Sequence, residues 1–114
     1  MPVPVGMRVQ LQQQQGGRTV HHASEVLVPT SGTEVAVGEV AAALGRLRNS
    51  DAIPRREQGR ADVALTKALA WLAARPPQGV SGRFSKSFYF APGNPAGSWR
   101  FDVEGLQGTH LRRV

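Results

Sequence analysis

The chain has 114 residues, enough for one domain with a packed core, and 40% of them are hydrophobic. It contains no cysteine, which excludes disulfides, thiolate metal sites and cysteine nucleophiles. Its 14 basic and 8 acidic residues give a net charge of +6, which favours a polyanionic partner such as DNA or RNA. Arginine predominates among the basic residues, so GC-rich coding is an alternative source of this charge.

The N-terminal third predicts a β-hairpin over residues 7–28. Apolar residues occupy every second position from Val3 to Leu11, which is typical of a half-buried strand. Pro2 and Pro4 cannot donate to a ladder, so we expect pairing to begin near Met7 and residues 1–6 to form an extended arm. Gly16-Gly17 predicts a hairpin turn. The returning strand would carry Val20, Val26 and Val28 on one face.

Two helices are expected next, within residues 34–74. Ser31 and Glu34 have the spacing of a capping box, which predicts a first helix over residues 34–48. In the alternative, a strand runs through Val35 and Val37 and the helix starts at Glu39. The second helix, residues 61–74, has a continuous apolar stripe and is ended by Pro76-Pro77. The stripe consists of Ala61, Ala64, Leu65, Ala68, Leu69 and Leu72.

Residues 49–60, between the two helices, read mostly as a loop. Asp51 could cap a short helix over residues 54–58, which Gly59 would stop.

Residues 82–114 predict a three-stranded antiparallel meander. Phe84, Phe88 and Phe90 share one face of a strand, and a turn follows at residues 92–95. Trp99, Phe101 and Val103 alternate with charged residues in the clearest strand of the chain. A turn at residues 105–108 and a final strand at 109–114 complete a single α+β domain. It has an N-terminal hairpin, two or three helices and the meander.

The pattern contains no recognisable catalytic centre. His21 and His22 are neighbours on a strand, so they point to opposite faces and cannot share a metal without a bulge. Ser24, His22 and Asp102 could be drawn as a triad, but no nucleophile elbow accompanies them. Asp102 and Glu104 read as solubilising residues, and no phosphate-cradling glycine loop is present. We therefore expect a non-catalytic protein with no cofactor and no metal.

The aromatic residues between 84 and 101 allow two interpretations. They could form a base-stacking platform, as in sheet-based RNA binders, or they could be the core face of the sheet. Their period of two, with polar residues opposite, favours the core. Tyr89 is the exception, because it falls on the polar face with Arg83, Ser85 and Ser87. It is the best single candidate for an exposed contact.

Residues 34–104 resemble a winged helix-turn-helix domain. Residues 38–45, Gly-Glu-Val-Ala-Ala-Ala-Leu-Gly, are similar to the first helix of the motif, and residues 62–74 to its recognition helix. Residues 83–100 would form the wing. Fifteen residues separate Gly45 from Ala61, where the motif's turn has about three or four. Pairing the short helix at 54–58 with the later one through Gly59 restores that spacing but loses the match at 38–45.

The resemblance implies a role for each basic or polar residue of the candidate site. The recognition helix would enter the major groove, and the wing would touch the backbone or the minor groove. On the recognition helix, the groove-facing residues would be Arg60, Thr66 and Lys67. The wing would present Arg83, Lys86 and Arg100. Arg55 and Arg56 would contact phosphate. For each arginine the alternative is a solvated surface charge.

Two functions from different classes follow. The first is a small basic nucleic-acid-binding protein, a DNA-binding regulator with DNA or RNA as its partner. The second is a structural or assembly subunit, for example a phage virion protein, that acts through protein–protein contacts or as a homo-oligomer. The extended N-terminal arm would then pack on a neighbouring subunit. No apolar run is long enough to span a membrane and residues 1–11 lack a signal-peptide pattern, so we expect a cytoplasmic or virion location.

Overall fold

A computed structural model of the chain describes residues 6–29, 34–74, 84–90, 98–106 and 110–112. In chain order the elements are β1 (Met7–Gln15), β2 (Arg18–Leu27), β3 (Glu34–Ala36), α1 (Val37–Arg48), a single 3-10 turn (Arg55–Glu57), α2 (Gln58–Ala73), β4 (Phe84–Tyr89), β5 (Trp99–Gly105) and β6 (His110–Arg112). The predicted α+β class is therefore confirmed.

The N-terminal hairpin forms as predicted. β1 begins at Met7 and pairs antiparallel with β2, and the turn between them falls at Gly16-Gly17. Gly16 has φ of +61°, a left-handed conformation that a glycine adopts without a Cβ clash.

The hairpin belongs to a four-stranded antiparallel sheet with the order β2-β1-β5-β4. β5 lies between β1 and β4, so Val103 pairs with Val9 on one side and Lys86 on the other. Buried residues alternate along β5 as the sequence predicts. Its apolar side faces the helices and its charged side faces away from them.

The predicted three-stranded meander is correct only for β4 and β5. β6 does not extend their sheet but pairs in parallel with β3, with Val35 opposite Leu111. Both of these side chains are fully buried. The final strand therefore pairs with the segment in front of α1. The burial of Leu111 beside Val35 stabilises this arrangement by more than the shorter connection of a meander would.

A β-bulge corrects the predicted face of β2. Leu11 pairs with Ala23 but Gln12 pairs with His21, so His22 is an extra residue in β2. The valines on either side of the bulge consequently lie on opposite faces. Val20 pairs with Gln13 on the helix side, whereas Val26 pairs with Arg8 on the open side and is exposed. The prediction that Val20 and Val26 share a face is wrong for this reason.

α1 begins at Val37, not at Glu34. Glu34 lies in β3, and Ala36 at the N-cap makes no side-chain capping bond, so the predicted capping box is wrong. Residues 34–36 pair with β6, which satisfies their backbone groups in a ladder instead of a helix. The alternative with a strand through Val35 is closer to the structure. Ser31 lies outside the described residues.

α2 begins earlier than predicted, at Gln58, and includes Gly59. The short helix expected at residues 54–58 is a single 3-10 turn with Pro54, not Asp51, at its N-cap. It runs directly into α2, so Gly59 does not stop it. Pro76-Pro77, Arg83 and the turn at residues 92–95 lie outside the described residues, as do residues 1–5 of the arm predicted at residues 1–6. Gly6, the last residue of that arm, accepts a hydrogen bond from Leu106 and so belongs to the folded domain.

Both helices pack on one face of the sheet and enclose the core. The buried set comes from every element except β2 and the 3-10 turn: Met7, Val9, Leu11, Val35, Val40, Ala43, Leu44, Leu47, Ile53, Ala61, Ala64, Ala68, Leu72, Phe88, Phe90, Trp99, Phe101, Val103 and Leu111. Phe88, Phe90, Trp99 and Phe101 thus belong to the core, which was the favoured interpretation of the aromatic pattern. None of the helices in the described part of the chain is long and apolar enough to cross a membrane.

Candidate nucleic-acid interface

One side of α2 places two basic residues away from the core. Ala61, Ala64 and Ala68 are buried against the sheet and α1, and helical geometry turns the intervening positions outward. Arg60 and Lys67 lie two turns apart on that outer side and are exposed. Val63 lies between them, with 56% of its surface exposed.

The end of β4 completes a groove beside this helix face. Arg60, Val63 and Lys67 line the groove from α2, and Tyr89 and Phe90 line it from β4. Its volume is about 150 Å³. Phe90 is buried and stacks on Trp99, so it forms the floor, whereas the ring of Tyr89 is 59% exposed at the rim. We call these five residues the basic groove.

The 3-10 turn in front of α2 adds further charge at the helix start. Arg55 and Arg56 are both exposed. The carboxylate of Glu57 lies 3.3 Å from Arg60 and 3.9 Å from Arg56, so it holds these guanidinium groups near the beginning of α2. One carboxylate among three arginines leaves this end of the groove positively charged.

Lys67 has no ion-pair partner among the described residues. Its ammonium group is thus available to an anionic ligand beside the groove. Thr66 is also exposed on α2, but its hydroxyl donates to the backbone oxygen of Asp62 at 2.9 Å. A contact from Thr66 to a ligand would need this bond to be shared or broken.

The two described basic residues of the predicted wing lie on opposite faces of the sheet. Lys86 is exposed on the helix side of β4, with its Nζ 5.9 Å from the centroid of the Phe88 ring. Arg100 lies on the open side, its guanidinium 6.0 Å from the centroid of the Tyr89 ring and its Nε 3.0 Å from Asp102. Arg100 therefore supports the Tyr89 ring more than it offers a free charge. Arg83 lies outside the described residues.

The structure thus brings together three of the predicted site residues, Arg60, Lys67 and Tyr89, with Arg56 beside them. Sequence reasoning missed Val63 and Phe90 as groove residues. Phe90 carried only the signal of a core residue, and Val63 interrupts a polar helix face without any periodic pattern. Only the packing of α2 against β4 shows that they line one groove.

A second, wider depression of about 530 Å³ covers the open face of the sheet. Its centre is Asp102, whose carboxylate accepts hydrogen bonds from Gln12, Ser87 and Arg100. Glu104 is paired with Arg8 at 2.7 Å. These two acids were interpreted as solubilising residues; they are instead bound in a polar network in which each carboxylate has a cationic partner.

The described residues contain no group of three or more histidine, cysteine, aspartate or glutamate side chains that could hold a metal ion. His22 stacks on Trp99 with ring centroids 4.6 Å apart, whereas His21 pairs with Gln12 on the open side. The two histidines lie on different faces, as predicted.

Comparison of the chain with protein-family models, with curated proteins and with solved structures finds no match.

Proposed function

We propose that this chain is a non-catalytic nucleic-acid-binding protein that binds duplex DNA through the basic groove. The observation that carries the proposal is the juxtaposition of Arg60, Lys67 and the exposed Tyr89 ring along one edge of the domain. In this proposal α2 takes the part of a recognition helix. β4 and β5 take the part of the wing that the sequence resemblance suggests.

The charge distribution supports an anionic partner. Arg55, Arg56 and Arg60 precede or begin α2, and Lys67 follows two turns later. This row runs from the 3-10 turn directly into α2, so it can follow a phosphate backbone, and each cation that neutralises a phosphate releases a counterion. The Arg60 side chain is 60% exposed although it is paired with Glu57, so its guanidinium group can contact a phosphate while the ion pair is kept.

The size of the groove supports a macromolecule over a small ligand. Pockets that enclose small molecules have volumes of about 300–1,000 Å³, and the basic groove, at about 150 Å³, has half the volume of the smallest of these. An extended backbone that runs across the edge of the domain needs no enclosure. Tyr89 then contacts a sugar or a base from the side.

The first experiment is a salt series of binding to a labelled duplex with the wild-type chain and the variants R60A and K67A. We expect the slope of log affinity against log salt to become shallower by about one in each variant, because one phosphate contact is lost. R18A is the matched control, since Arg18 is an exposed arginine on β2, the opposite edge strand of the sheet. No binding by the wild type at low salt contradicts the proposal.

A second experiment distinguishes duplex from single strand. Y89A removes the exposed ring and Y89F keeps it. Stacking on an unpaired base contributes about 1–3 kcal/mol, so a single-strand binder would lose about fivefold or more in affinity for single strands in Y89A but not in Y89F. We expect duplex binding to be the stronger in the wild type. A preference for single strands would contradict the choice of duplex.

A second candidate function, an assembly subunit, is favoured by one observation. β2 is an edge strand of the sheet, with Val26 exposed on it and Val28 exposed directly after its end. Open edges of this kind support strand-to-strand assembly. Light scattering that shows open-ended growth with concentration would favour this function, and a closed small species would count against it.

A further inference from the structure

The outer edge of β2 has free backbone groups. The oxygen of Gly6 accepts from Leu106 and the N–H of Gln14 donates to Ser98, so even-numbered residues of β1 bond toward β5. Odd-numbered residues, including Val9, therefore bond to β2, where Glu25 is the partner. Ser24 and Val26 alternate with Glu25, and their backbone groups point outward. Within the described residues no strand pairs with this edge.

The bulge at His22 and the charge of Glu25 are the two features of β2 that can protect an edge strand. Beyond the bulge, residues 23–27 pair in regular register with β1, and the ten-residue strand contains neither lysine nor proline. Val26, with 57% of its surface exposed, stands on it as a large apolar side chain. A strand of this length and composition favours pairing with another strand.

α1 lies beside this edge and leaves a groove of about 330 Å³ between helix and strand. The lining consists of Val26, Leu27, Val28, Glu39, Ala42 and Arg46. Glu39, Ala42 and Arg46 occupy one side of α1, two turns from first to last. The small side chain of Ala42 at the centre permits a second helix to approach closely.

The charges on this side of α1 are self-complementary. Arg46 is held by Glu25 of β2 at 2.8 Å, and Glu39 has no ion-pair partner among the described residues. A second copy that pairs antiparallel with β2 is related by a two-fold axis normal to the sheet. That axis sets the two α1 helices antiparallel, and when it passes beside Ala42, Glu39 of each copy faces Arg46 of the other.

We propose that this chain forms a closed two-fold dimer through the outer edge of β2 and the Glu39, Ala42 and Arg46 side of α1. The interface is isologous, because the same surface is used by both copies. It joins the two sheets into one of eight strands and covers Val26 and Val28.

The dimer has a consequence that rests on the proposed DNA-binding function. The axis is normal to the sheet, so both basic grooves lie on the same face, each beside an outermost β4. Seven strand spacings separate these two strands, about 34 Å across the sheet. One turn of B-DNA has this length, and dimeric DNA-binding proteins contact half-sites at this separation.

The first test is the mass of the protein in solution, measured by analytical ultracentrifugation at micromolar concentrations. The wild type is expected at twice the chain mass of 12.2 kDa, and V26K at 12.2 kDa. V63K is the matched control, because Val63 is exposed to the same extent as Val26 but lies on α2. It is expected to remain dimeric. A monomeric wild type, or a V26K variant that stays dimeric, overturns the proposal.

A charge exchange tests the two-fold geometry itself. E39R sets two arginines opposite each other at both ends of the helix pair, and R46E does the same with two glutamates. Each variant alone is expected to be monomeric. An equimolar mixture restores opposite charges at both ends and is expected to give a heterodimer. Failure of the mixture to associate, with both chains folded by circular dichroism, overturns the proposed register.

DNA binding is then a separate readout. If the dimer contacts two sites, its affinity rises by about tenfold or more between duplexes of about 10 and about 20 base pairs, and V26K lacks this rise. A dimer with no length dependence overturns the half-site spacing. A dimer that binds no DNA at all contradicts the proposed function and leaves the interface intact.

Discussion

His22 occupies the extra position of the bulge in β2 and is anchored on the helix side of the sheet. Its ring stacks on Trp99 at 4.6 Å, and its Nε2 lies 3.1 Å from Oε1 of Gln13. Burial of the ring lowers the pKa of His22 below its usual value. The folded chain therefore favours the neutral imidazole.

The first prediction concerns pH. The unfolded chain takes up a proton at His22 near pH 6.5, before the folded chain does, so His22 reduces the stability as the pH falls through that value. We expect H22Q, which keeps an amide for Gln13, to lose less stability than the wild type between about pH 7.5 and about pH 5. Urea unfolding at several pH values measures this difference.

The control for this experiment is H21Q. His21 is exposed on the open side of β2, and its replacement removes a histidine without touching the stack of His22 on Trp99. An H22Q variant with the full wild-type loss of stability at acid pH would show that another group is responsible.

Gly6 shows why one position requires glycine. A Cβ at Gly6 would lie 2.0 Å from the backbone oxygen of Leu27, which cannot move without disturbing the start of the β1–β2 ladder. Gly6 also accepts a hydrogen bond from Leu106. The close approach of three segments at this point therefore depends on the absence of a side chain.

The second prediction is that G6A destabilises the fold by about 1–3 kcal/mol, because a backbone must shift. G59A is the control. Gly59 lies in the first turn of α2, where an added Cβ meets nothing within 4 Å, and alanine is expected to stabilise the chain by up to about 1 kcal/mol. Thermal unfolding of both variants measures the contrast, and equal effects would contradict it.

Among the elements, α2 shows how far a periodic pattern predicts packing. Four residues of its predicted stripe are buried as expected, and Leu65 is partly buried. Leu69 departs from the pattern, because it lies at the margin of the buried face of the helix and is 38% exposed. The apolar arc is wider than the contact surface, so the sequence overestimates the buried face.

The third prediction compares two leucines of α2. Leu72 is 1% exposed and packs in the core, so L72A is expected to cost about 2–5 kcal/mol through lost contacts and the cavity left behind. L69A removes the same atoms from a half-exposed site and is expected to cost less than about 1 kcal/mol. Chemical denaturation measures both, and a similar loss in the two variants would contradict the placement of α2.

Ion pairs fix the position of α1 between its neighbours. Arg46 binds Glu25 of β2, and Arg48 binds Asp62 of α2 at 2.5 Å. The bond from Arg48 lowers the pKa of Asp62 and raises that of Arg48 itself. Both pairs are exposed on at least one side, so they orient the helix more than they stabilise it.

At the scale of the whole molecule, the parallel pair of β3 and β6 joins two distant parts of the chain. It connects the strand that leads into α1 with the last described residues of the chain. More than sixty positions of sequence separate these two segments. Val35 and Leu111 are both fully buried at this junction. The pair closes the end of the core that the four-stranded sheet leaves open.

The fourth prediction tests this closure. L111A is expected to lower the free energy of unfolding by about 2–5 kcal/mol, whereas L111M, which keeps the volume, is expected to cost less than about 1.5 kcal/mol. Urea unfolding monitored by tryptophan fluorescence measures both variants. An L111A variant as stable as the wild type would show that β6 contributes nothing to the core.

Some features of this protein followed from the sequence alone. The turn at Gly16-Gly17, the alternation along β5, the buried stripe of α2 and the exposure of Tyr89 all depend on the period of the side chains or on local backbone freedom. Such properties are encoded within a few neighbouring residues, so they can be predicted before any tertiary contact is known.

Only the tertiary structure decided how these pieces join. β5 pairs with β1 and β6 returns to β3, because long-range burial of apolar surface selects partners that no local pattern specifies. The bulge at His22 reverses the face of half of β2, and the same packing brings Tyr89 to Arg60 across 29 positions of sequence. Pairing and packing between distant segments determine the candidate site, and a sequence pattern with a range of a few residues does not carry that information.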